Sequence, residues 1–489
     1  MSRSLVERGD VGATDQRLEK DIALVVDLDG TLLRSDLLFE SVVMLLGRKP
    51  WLAFLLPLWL IRGKAHLKQR VARLVDLDLG DLPWDERVLA LVEQHRGRRT
   101  LVLCTASDEK LAASVANHFG LFDEVIASDG HRNVSGTVKA EMVAAKYGAR
   151  GFDYIGNARA DLSVWEHARF AIVANAGEAL TRAAAKRCPV QLVLPGEGSG
   201  WRQWAKALRL HQWLKNALIF VPMLAAHKFL DPSVVLECVL GFFDFGLCAS
   251  SVYLLNDLLG LADDRQHPTK SQRPFASGRL ALSQGLLVSV FLGLAAFGLG
   301  ILLSPLFAGV LAVYYLLNVS YSFWLRKRVM VDVVVLAGLY TLRIVAGAAL
   351  LGTAISFWLL AFSMFLFLSL AMLKRYTELL GQRTKGASAT FGRGYEVDDL
   401  PLLQSLGAAS GYLAVLVLAL YINSTASEML YRRPQVLWLL CPLLLYWISR
   451  AWMIAHRGLM RDDPVIFAAT DRTSQVIAVV CAVIAAGAI

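Results

Sequence analysis

The chain of 489 residues is 56% hydrophobic and only 19% charged, with a formal net charge of +9. Soluble domains usually carry about 25% charged residues, so this composition excludes an ordinary soluble enzyme, a disordered chain and a disulfide-rich secreted module. A nucleic-acid-binding protein is excluded as well, because many lysines and arginines lie between long apolar runs instead of forming one basic face. The composition favours a membrane protein with basic cytoplasmic loops.

Residues 1–195 have the pattern of a soluble α/β domain. The first stretch is charged and lacks the apolar core of a signal peptide, which predicts that this domain stays in the cytoplasm. Short apolar runs, such as IALVV from residue 22 and TLVLC from residue 100, alternate with helical segments. This alternation predicts a doubly wound, Rossmann-like parallel sheet with helices on both faces. Ligands of such sheets bind beyond the carboxyl ends of the strands.

Residues 41–61 are strongly apolar and precede a basic stretch at 62–73. The run WLAFLLPLWLI is about a dozen residues long, whereas a transmembrane helix needs about 20. Two interpretations are open. The segment is either a helix pair lying on the membrane surface, with its cationic flank toward anionic lipid, or a hairpin buried in a small helical cap.

Polar residues at the predicted strand ends form an ordered set. Its members are Asp27, Asp29, Thr105, Lys139, Asn157 and Asp161. Two carboxylates separated by one residue can take different catalytic roles, one as a nucleophile and the other as a proton donor and acceptor. A metal ion would offset the charge of a phosphate. The set therefore predicts phosphoryl transfer through an acyl phosphate.

This ordered set resembles the haloacid dehalogenase-like phosphatase superfamily, over roughly residues 20–180. The resemblance implies that Asp27 accepts the phosphoryl group and that Asp29 is the general acid/base. It implies further that Thr105 holds the phosphoryl oxygens and that Lys139 neutralises charge on the nucleophile and the phosphate. Residues 32–100 would form the helical cap.

The resemblance also implies a Mg²⁺ site in the same domain. Its ligands would be Asp27, Asp29, Asn157 and Asp161. Asn157 stands where the superfamily usually has an acid, so the site has one negative charge fewer and should bind the metal more weakly. A degenerate domain that is kept for docking or regulation is the alternative.

From about residue 204 the apolar runs are long enough to cross a bilayer. The stretch LPGEGSG predicts a linker at 196–203, followed by an all-α bundle of nine transmembrane helices at 204–489. Alternate connections are rich in lysine and arginine, which predicts a cytoplasmic N-terminus and a C-terminus on the outer side. The predicted spans are 212–227, 233–256, 281–303, 305–325, 330–350, 355–373, 403–423, 436–455 and 473–489.

The second predicted span ends in a group of acids that is followed by bases. The group consists of Asn256, Asp257, Asp263 and Asp264. Carboxylates at a membrane boundary are costly and usually functional. Because several together repel one another, they invite a divalent cation, and Mg²⁺ favours carboxylates combined with diphosphate oxygens. The bases Lys270 and Arg273 could clamp the remaining phosphate charge.

The segment YLLNDLLGLADDRQHPTKSQRPFASG at 253–278 resembles the first motif of the UbiA-type membrane prenyltransferase family. The resemblance covers roughly residues 205–489 and agrees with a nine-helix bundle. It implies a first Mg²⁺ cluster made by Asn256, Asp257 and Asp264. Gly260 stands where the family has another aspartate, and Asp263 could replace it from a different face of the helix.

The second motif of the family usually reads DxxxD, whereas Tyr395 and Asp399 form YxxxD. With HQWLKN, HPTK and RPFASG, this pattern looks most like the decaprenyl-phosphate phosphoribosyltransferase branch. The resemblance implies that 5-phosphoribosyl 1-diphosphate is joined to a polyprenyl phosphate in the membrane bilayer and that diphosphate is released. It also implies that Asp399 helps to hold Mg²⁺-diphosphate.

Charge and location supply further candidates for substrate binding. They are Lys215, Asp263, Lys270, Arg273, Lys374, Arg375 and Tyr395. Arg343 is an intramembrane cation in the fifth predicted span, and such residues are functional candidates. It either meets the polyprenyl phosphate or pairs with Asp332 or Asp244.

The leading hypothesis is a membrane phosphoribosyltransferase whose fused phosphatase domain removes the 5-phosphate from the product. The alternative is a prenyltransferase that moves an isoprenoid from its diphosphate to a small aromatic acceptor. In that case the soluble domain would be catalytically silent and regulatory.

Overall fold

The structure is a computed structural model that describes residues 22–196, 200–267, 269–384, 394–460 and 463–489. The chain divides into two compact units. The first unit is Met1–Ala207 with Asp257–Leu287, and the second is Leu208–Asn256 with Val288–Ile489. The sequence-based division differs mainly in Asp257–Leu287, which the packing groups with the first unit. Residues 197–199 of the predicted linker lie outside the described residues.

The first unit contains a six-stranded parallel sheet, which confirms the predicted parallel-sheet α/β domain. The spatial order is β3-β2-β1-β4-β5-β6. The strands are β1 (Ala23–Val26), β2 (Leu101–Asp108), β3 (Glu124–Ser128), β4 (Phe152–Gly156), β5 (Ala171–Ala176) and β6 (Val190–Pro195). Successive side chains of a strand point to opposite faces. Leu24 and Val26 therefore enter one hydrophobic core, whereas Ala23 and Val25 enter the other.

Helices cover both faces of this sheet. The segment between β1 and β2, where the cap was predicted at 32–100, holds four α-helices and the 3₁₀ helix Pro50–Phe54. Those four are α1 (Leu37–Arg48), α2 (Leu56–Ile61), α3 (Lys64–Leu74) and α4 (Glu86–Gln94). The later helices up to residue 207 are α5 (Glu109–Phe119), α6 (Thr137–Tyr147), α7 (Leu162–His167), α8 (Glu178–Ala185) and α9 (Trp201–Ala207).

The remainder of the chain is helical, as predicted for the membrane domain. The helices are α10 (Val221–Ala225), α11 (Pro232–Leu259), α12 (Leu261–Gln266), α13 (Leu282–Leu303), α14 (Pro305–Phe323), α15 (Val331–Leu350), α16 (Phe357–Arg383), α17 (Leu400–Ile422), α18 (Thr425–Leu430), α19 (Leu440–His456), α20 (Pro464–Thr470) and α21 (Arg472–Ala488). Within the described residues, seven helices are long and apolar enough to cross a membrane. An eighth span results if α20 and α21, bent by 75°, count as one.

The predicted count of nine spans is not confirmed. The segment predicted as the first span, 212–227, folds as the 3₁₀ helix Leu210–Phe220 followed by the short α10. Two polar residues of this segment, Lys215 and Asn216, are buried. Hydropathy alone does not distinguish such an irregular apolar segment from a continuous helix, and this explains the difference at 212–227.

Candidate active sites

The first candidate site lies where β1 ends. Asp27 follows this strand directly, and its amide donates to the carbonyl oxygen of Ile155 on the neighbouring β4 at 3.0 Å. The Asp27 side chain is buried, and Oδ1 accepts a hydrogen bond from Lys139 Nζ at 2.6 Å. Oδ2 accepts from the Thr31 hydroxyl at 3.1 Å. The structure thus brings together the predicted nucleophile and the predicted lysine, which are 112 residues apart in the chain.

Asp29 is held by donors from two other elements. Its Oδ1 accepts from the amide of Leu37, the first residue of α1, at 2.8 Å. Its Oδ2 accepts from the hydroxyls of Ser107 at 2.7 Å and Thr105 at 3.3 Å. Burial and the nearby Asp36 raise the pKa of Asp29 to about 6, although these donors lower it. A carboxyl group that exchanges a proton near neutral pH suits a general acid/base.

Asn157 and Asp161 follow β4 and have different surroundings. Asp161 accepts hydrogen bonds from the Tyr154 hydroxyl at 2.8 Å and from the amides of Asn157 and Ala158 at 3.0 and 2.9 Å. Both carboxylate oxygens of Asp161 are therefore engaged in hydrogen bonds that hold the loop after β4. The Asn157 side chain lies against Gly30, where an added Cβ would come within 2.0 Å of Nδ2. With φ at +81°, Gly30 leaves room for this amide beside the two aspartates.

The donor atoms at these strand ends fit Mg²⁺. Among the described residues, no group of three or more histidine, cysteine, aspartate or glutamate side chains could hold a metal ion. Mg²⁺ does not require such a cage, because it commonly binds through one or two carboxylates, substrate phosphate and water. Asp27, Asp29 and the Asn157 amide offer oxygen donors of this kind, and a direct contact from Asp161 stays a prediction.

Three residues contribute to this site although no sequence pattern indicated them. The Tyr154 hydroxyl lies 3.1 Å from Lys139 Nζ and joins that lysine to Asp161. Ser107 supplies the shortest hydroxyl contact to Asp29. Lys68 of α3 donates to the carbonyl oxygen of Ala106 at 2.6 Å. Burial lowers the Lys68 pKa, while Asp29 and Asp36 raise it.

A cleft of about 580 Å³ opens onto these strand ends within the first unit. Asp29, Asn157 and Asn175 line one side, and the segment Ser277–Gln284 lines another. Its lining also includes the cationic residues Arg34 and Arg279. The cleft is therefore large enough for a phosphorylated sugar and carries cations suited to phosphate.

The acids predicted after the second span converge in the first unit. Asp257 lies near the end of α11 and Asp264 on α12, and the two are 3% and 6% exposed. Nη1 of Arg273 donates to Asp257 at 3.0 Å and to Asp264 at 2.7 Å. The helix break at Gly260 thus allows two carboxylates to share one cationic group. Asp263 is exposed, and Lys270 is half-buried at the start of the 3₁₀ helix Lys270–Gln272.

Asn256 precedes this pair on α11. Its Oδ1 is buried and has no hydrogen-bond partner among the residues that the structure describes. A buried carbonyl oxygen without a partner is costly, and a hard cation would satisfy it. The donor set of the first acidic motif therefore also fits Mg²⁺.

The acidic motif is also tied to the helical segment after β1. Arg265, next to Asp264 in the chain, pairs with Glu40 of α1 through two contacts of 2.6 and 3.0 Å. Both side chains are less than one-tenth exposed. A buried pair with two hydrogen bonds fixes orientation more strictly than a surface pair does. Within the first unit, this contact fixes α12 against α1.

A basic cluster in the second unit centres on Asp463, which no sequence motif indicated. Its Oδ2 accepts from Lys215 Nζ at 2.9 Å and from Lys374 Nζ at 2.7 Å. The Tyr340 hydroxyl lies 3.3 Å from Oδ1. Two ammonium groups share one carboxylate here, so the cluster keeps a positive charge that suits phosphate.

Arg343 lies in the same unit, and its described contacts include neither Asp332 nor Asp244, so the alternative of a pair with either acid is not formed. It donates to Asn216 Oδ1 and to the Tyr314 hydroxyl, both at 3.1 Å. Its guanidinium group also lies 5.8 Å from the ring centre of Tyr340. Its described contacts hold this cation with neutral groups.

Arg375 and Tyr395 both contact the buried Asp332. The Arg375 guanidinium pairs with Asp332 and, at 2.5 Å, with Glu378. The Tyr395 hydroxyl donates to Asp332 at 2.5 Å. Asp399 accepts from the amide of Glu396 at 3.0 Å at the start of α17. The described contacts of Arg375 and Tyr395 are to protein groups, and substrate binding by either stays a prediction.

Comparison with known proteins identifies the transferase half. Residues 217–469 match the UbiA prenyltransferase family. An uncharacterized protein, y4nM of Sinorhizobium fredii, is 35% identical over 463 residues, which cover 93% of this chain and 89% of that protein. Nodulation protein NoeC of Azorhizobium caulinodans is 38% identical, covering 56% of this chain and 89% of its own length. The decaprenyl-phosphate phosphoribosyltransferase of Mycobacterium tuberculosis is 33% identical over 42% of this chain and 70% of its own length.

The chain belongs to the UbiA prenyltransferase family, as the acidic motif predicted. It is therefore an integral membrane protein of a transferase family, with decaprenyl-phosphate phosphoribosyltransferases among its relatives. The sides of the membrane on which its termini lie stay a prediction.

Proposed function

We propose that this protein transfers a phosphoribosyl group from 5-phosphoribosyl 1-diphosphate to polyprenyl phosphate. We propose further that its α/β domain then removes the 5-phosphate of the product. The observation that carries the first step is the convergence of Asp257 and Asp264, in a chain similar to decaprenyl-phosphate phosphoribosyltransferases.

The donor diphosphate would be bound at the acidic motif. Asn256, Asp257 and Asp264 would hold Mg²⁺ there, and the bound ion would offset the charge of the diphosphate leaving group. Arg273, about one-third exposed, would contact phosphate oxygens as well as carboxylates. Lys270 would add a contact to the donor.

The acceptor phosphate would be bound by the basic cluster of Lys215, Lys374 and Asp463. The acceptor oxygen is already anionic, so its attack on the anomeric carbon requires no general base. The C–O bond to diphosphate breaks as the new C–O bond forms, and the leaving group keeps the electron pair. Two lysines positioned by one aspartate can bind such an acceptor without taking a proton from it, and Arg343 would add a third cation.

The phosphatase step would follow at the end of β1. An Asp27 oxygen would attack phosphorus while Asp29 gives its proton to the departing sugar oxygen. Asp29 would then take a proton from the water that hydrolyses the aspartyl phosphate. Lys139 and Thr31 hold Asp27 for attack, and Mg²⁺ bound by Asp27, Asp29 and Asn157 would offset phosphate charge.

The test uses the full chain in lipid nanodiscs with both substrates. We expect release of diphosphate and a pentosyl lipid without a 5-phosphate, identified by mass spectrometry. Glu237→Gln, which changes an exposed acid on the same helix α11 outside the motif, is the matched control for Asp257→Asn. If Asp257→Asn leaves diphosphate release unchanged, the donor-site assignment is wrong.

The second candidate function is prenyl transfer to an aromatic acceptor, which membership in the family favours. An isoprenoid diphosphate would then be the donor. Supplying it in competition with 5-phosphoribosyl 1-diphosphate separates the two, because only the true donor is consumed.

A further inference from the structure

An apolar surface lies at Pro50–Ile61, between α1 and α3. Neither of its two short helices, Pro50–Phe54 and Leu56–Ile61, has a buried residue in the described structure. Phe54 and Ile61 are 83% and 82% exposed, and Trp51 is 61% exposed. Isolated apolar side chains on a surface are ordinary, but a contiguous group of them marks an interaction site.

The inner side of this segment explains why it stays in place. Leu52, Leu56 and Trp59 are half-buried and pack against a small core formed by α1 and α3, which contains Val42 and Leu45. The segment is therefore attached through one side and presents the other outward. This is the amphipathic arrangement expected of a surface helix pair, whereas a buried hairpin would cover both sides.

The charges beside the surface indicate what it binds. Arg48 and Lys49 precede it, Arg62 and Lys64 follow it, and all four are exposed. Residues 48–64 contain no acid. An apolar surface framed by cations matches a bilayer interface, where acyl chains lie next to anionic headgroups. With about a dozen residues, the segment is too short to span the bilayer.

We propose that Pro50–Ile61 inserts into the headgroup region of an anionic bilayer and seats the α/β domain on the membrane in which this chain resides. The consequence for catalysis rests on the proposed phosphatase function. The helix α1 connects the two features, since its first amide donates to Asp29 and its last residue is Arg48. The seat would keep the cleft within reach of a lipid-linked phosphate.

The seat is tested in the full chain reconstituted into nanodiscs that contain phosphatidylglycerol. A nitroxide is attached at Phe54→Cys, with Leu58→Cys as a second position and Glu93→Cys on α4 as the exposed control of the same domain. Unmodified protein treated with the same reagent shows how much label the native cysteines take up. We expect oxygen to relax the labels at 54 and 58 more strongly than a water-soluble nickel chelate does, and the reverse at 93. Replacing the anionic lipid by phosphatidylcholine should reduce the difference.

Two results would overturn the proposal. Labels at 54 and 58 that behave like the control would mean that the surface lies in water. Labels shielded from both reagents would mean that it contacts protein. This measurement needs no enzymatic activity, so its outcome is independent of the proposed phosphatase.

The catalytic consequence is measured separately. Phe54→Ser with Ile61→Ser should lower kcat/KM on the lipid-linked 5-phosphate about tenfold or more, while hydrolysis of a water-soluble phosphomonoester is unchanged. Equal loss on both substrates would contradict a seating role. If unmodified protein hydrolyses neither substrate, the phosphatase proposal fails. The nitroxide measurement still shows whether Pro50–Ile61 inserts into the bilayer.

Discussion

The two units arrange their charged residues in different ways. At the end of β1, acids lie close together, and hydroxyls, backbone amides and Lys139 hold them. In the second unit, two lysines instead share the single carboxylate of Asp463. The first arrangement suits a nucleophile and a proton donor, whereas the second suits binding of an anionic acceptor. The contrast indicates that phosphate hydrolysis in the α/β domain depends on the reactivity of Asp27 and Asp29. Phosphoribosyl transfer depends instead on binding the charged substrates in the correct position.

The largest expected effect comes from the nucleophile. Asp27→Asn should reduce phosphate release to background, because an amide oxygen does not form the aspartyl phosphate. Diphosphate release should continue, so the pentosyl lipid keeps its 5-phosphate and has the corresponding mass. Glu86→Gln on the exposed start of α4 is the control. Unchanged phosphate release by D27N would support a catalytically silent domain.

The next effect concerns the donor site. Asp257→Asn should lower the rate of diphosphate release by about 10²–10³-fold, the size expected when one preorganised electrostatic contact to a leaving group is lost. Hydrolysis of a soluble phosphomonoester should stay at the level of the unmodified protein. A parallel loss of both activities would mean that the two sites do not act separately.

A smaller effect is expected in the basic cluster. Lys374→Gln removes one charge-assisted contact, worth about 1.5–3 kcal/mol, and should raise the KM for polyprenyl phosphate about 10–100-fold. The KM for 5-phosphoribosyl 1-diphosphate should change little. Arg450→Gln, which breaks the partly exposed pair with Asp471, is the matched control in the same unit. A larger change for the donor than for the acceptor would move Lys374 to the donor site.

The smallest expected effect is an increase in Mg²⁺ affinity. Asn157→Asp restores the acid that the resemblance leads one to expect and adds a negative charge beside Asp29. It should lower the Mg²⁺ concentration needed for half-maximal phosphatase activity severalfold, since metal affinity follows ligand charge. Asn117→Asp, at an exposed asparagine on α5, adds the same charge away from the site and serves as the comparison. Mg²⁺ dependence that is unchanged by N157D alone would remove Asn157 from the ligand set.

Much of the α/β site was predictable because parallel strands end at one edge of the sheet. Asp27 and Asn157 follow the neighbouring strands β1 and β4 directly, and Asn157 lies against Gly30 of the motif DLDGT. Lys139 reaches Asp27 from the first turn of α6 and not from a strand end. The acidic motif was predictable for a local reason as well, since Asp257 and Asp264 are seven residues apart. The role of Tyr154 was not predictable, because this residue lies within a buried strand and its hydroxyl gives no pattern in the sequence.

The basic cluster of Lys215, Lys374 and Asp463 was not predictable from the sequence. Lys215 and Asp463 are 248 residues apart, and no local spacing connects a lysine after one apolar run with an aspartate before another. The same holds for Arg375 and Tyr395, which both contact Asp332. In a helical bundle, partners are decided by packing between distant segments, and a single sequence does not record that packing.

We expect this one chain to make a phosphoribosyl lipid and then to remove its 5-phosphate. The most direct measurement is the mass of the lipid formed from 5-phosphoribosyl 1-diphosphate and polyprenyl phosphate by the full chain in nanodiscs, with diphosphate and phosphate counted in the same sample. We expect a polyprenyl-phosphoryl pentose without the 5-phosphate, and one diphosphate and one phosphate per lipid. A reaction that yields no pentosyl lipid, with the donor unconsumed, would overturn the proposed function.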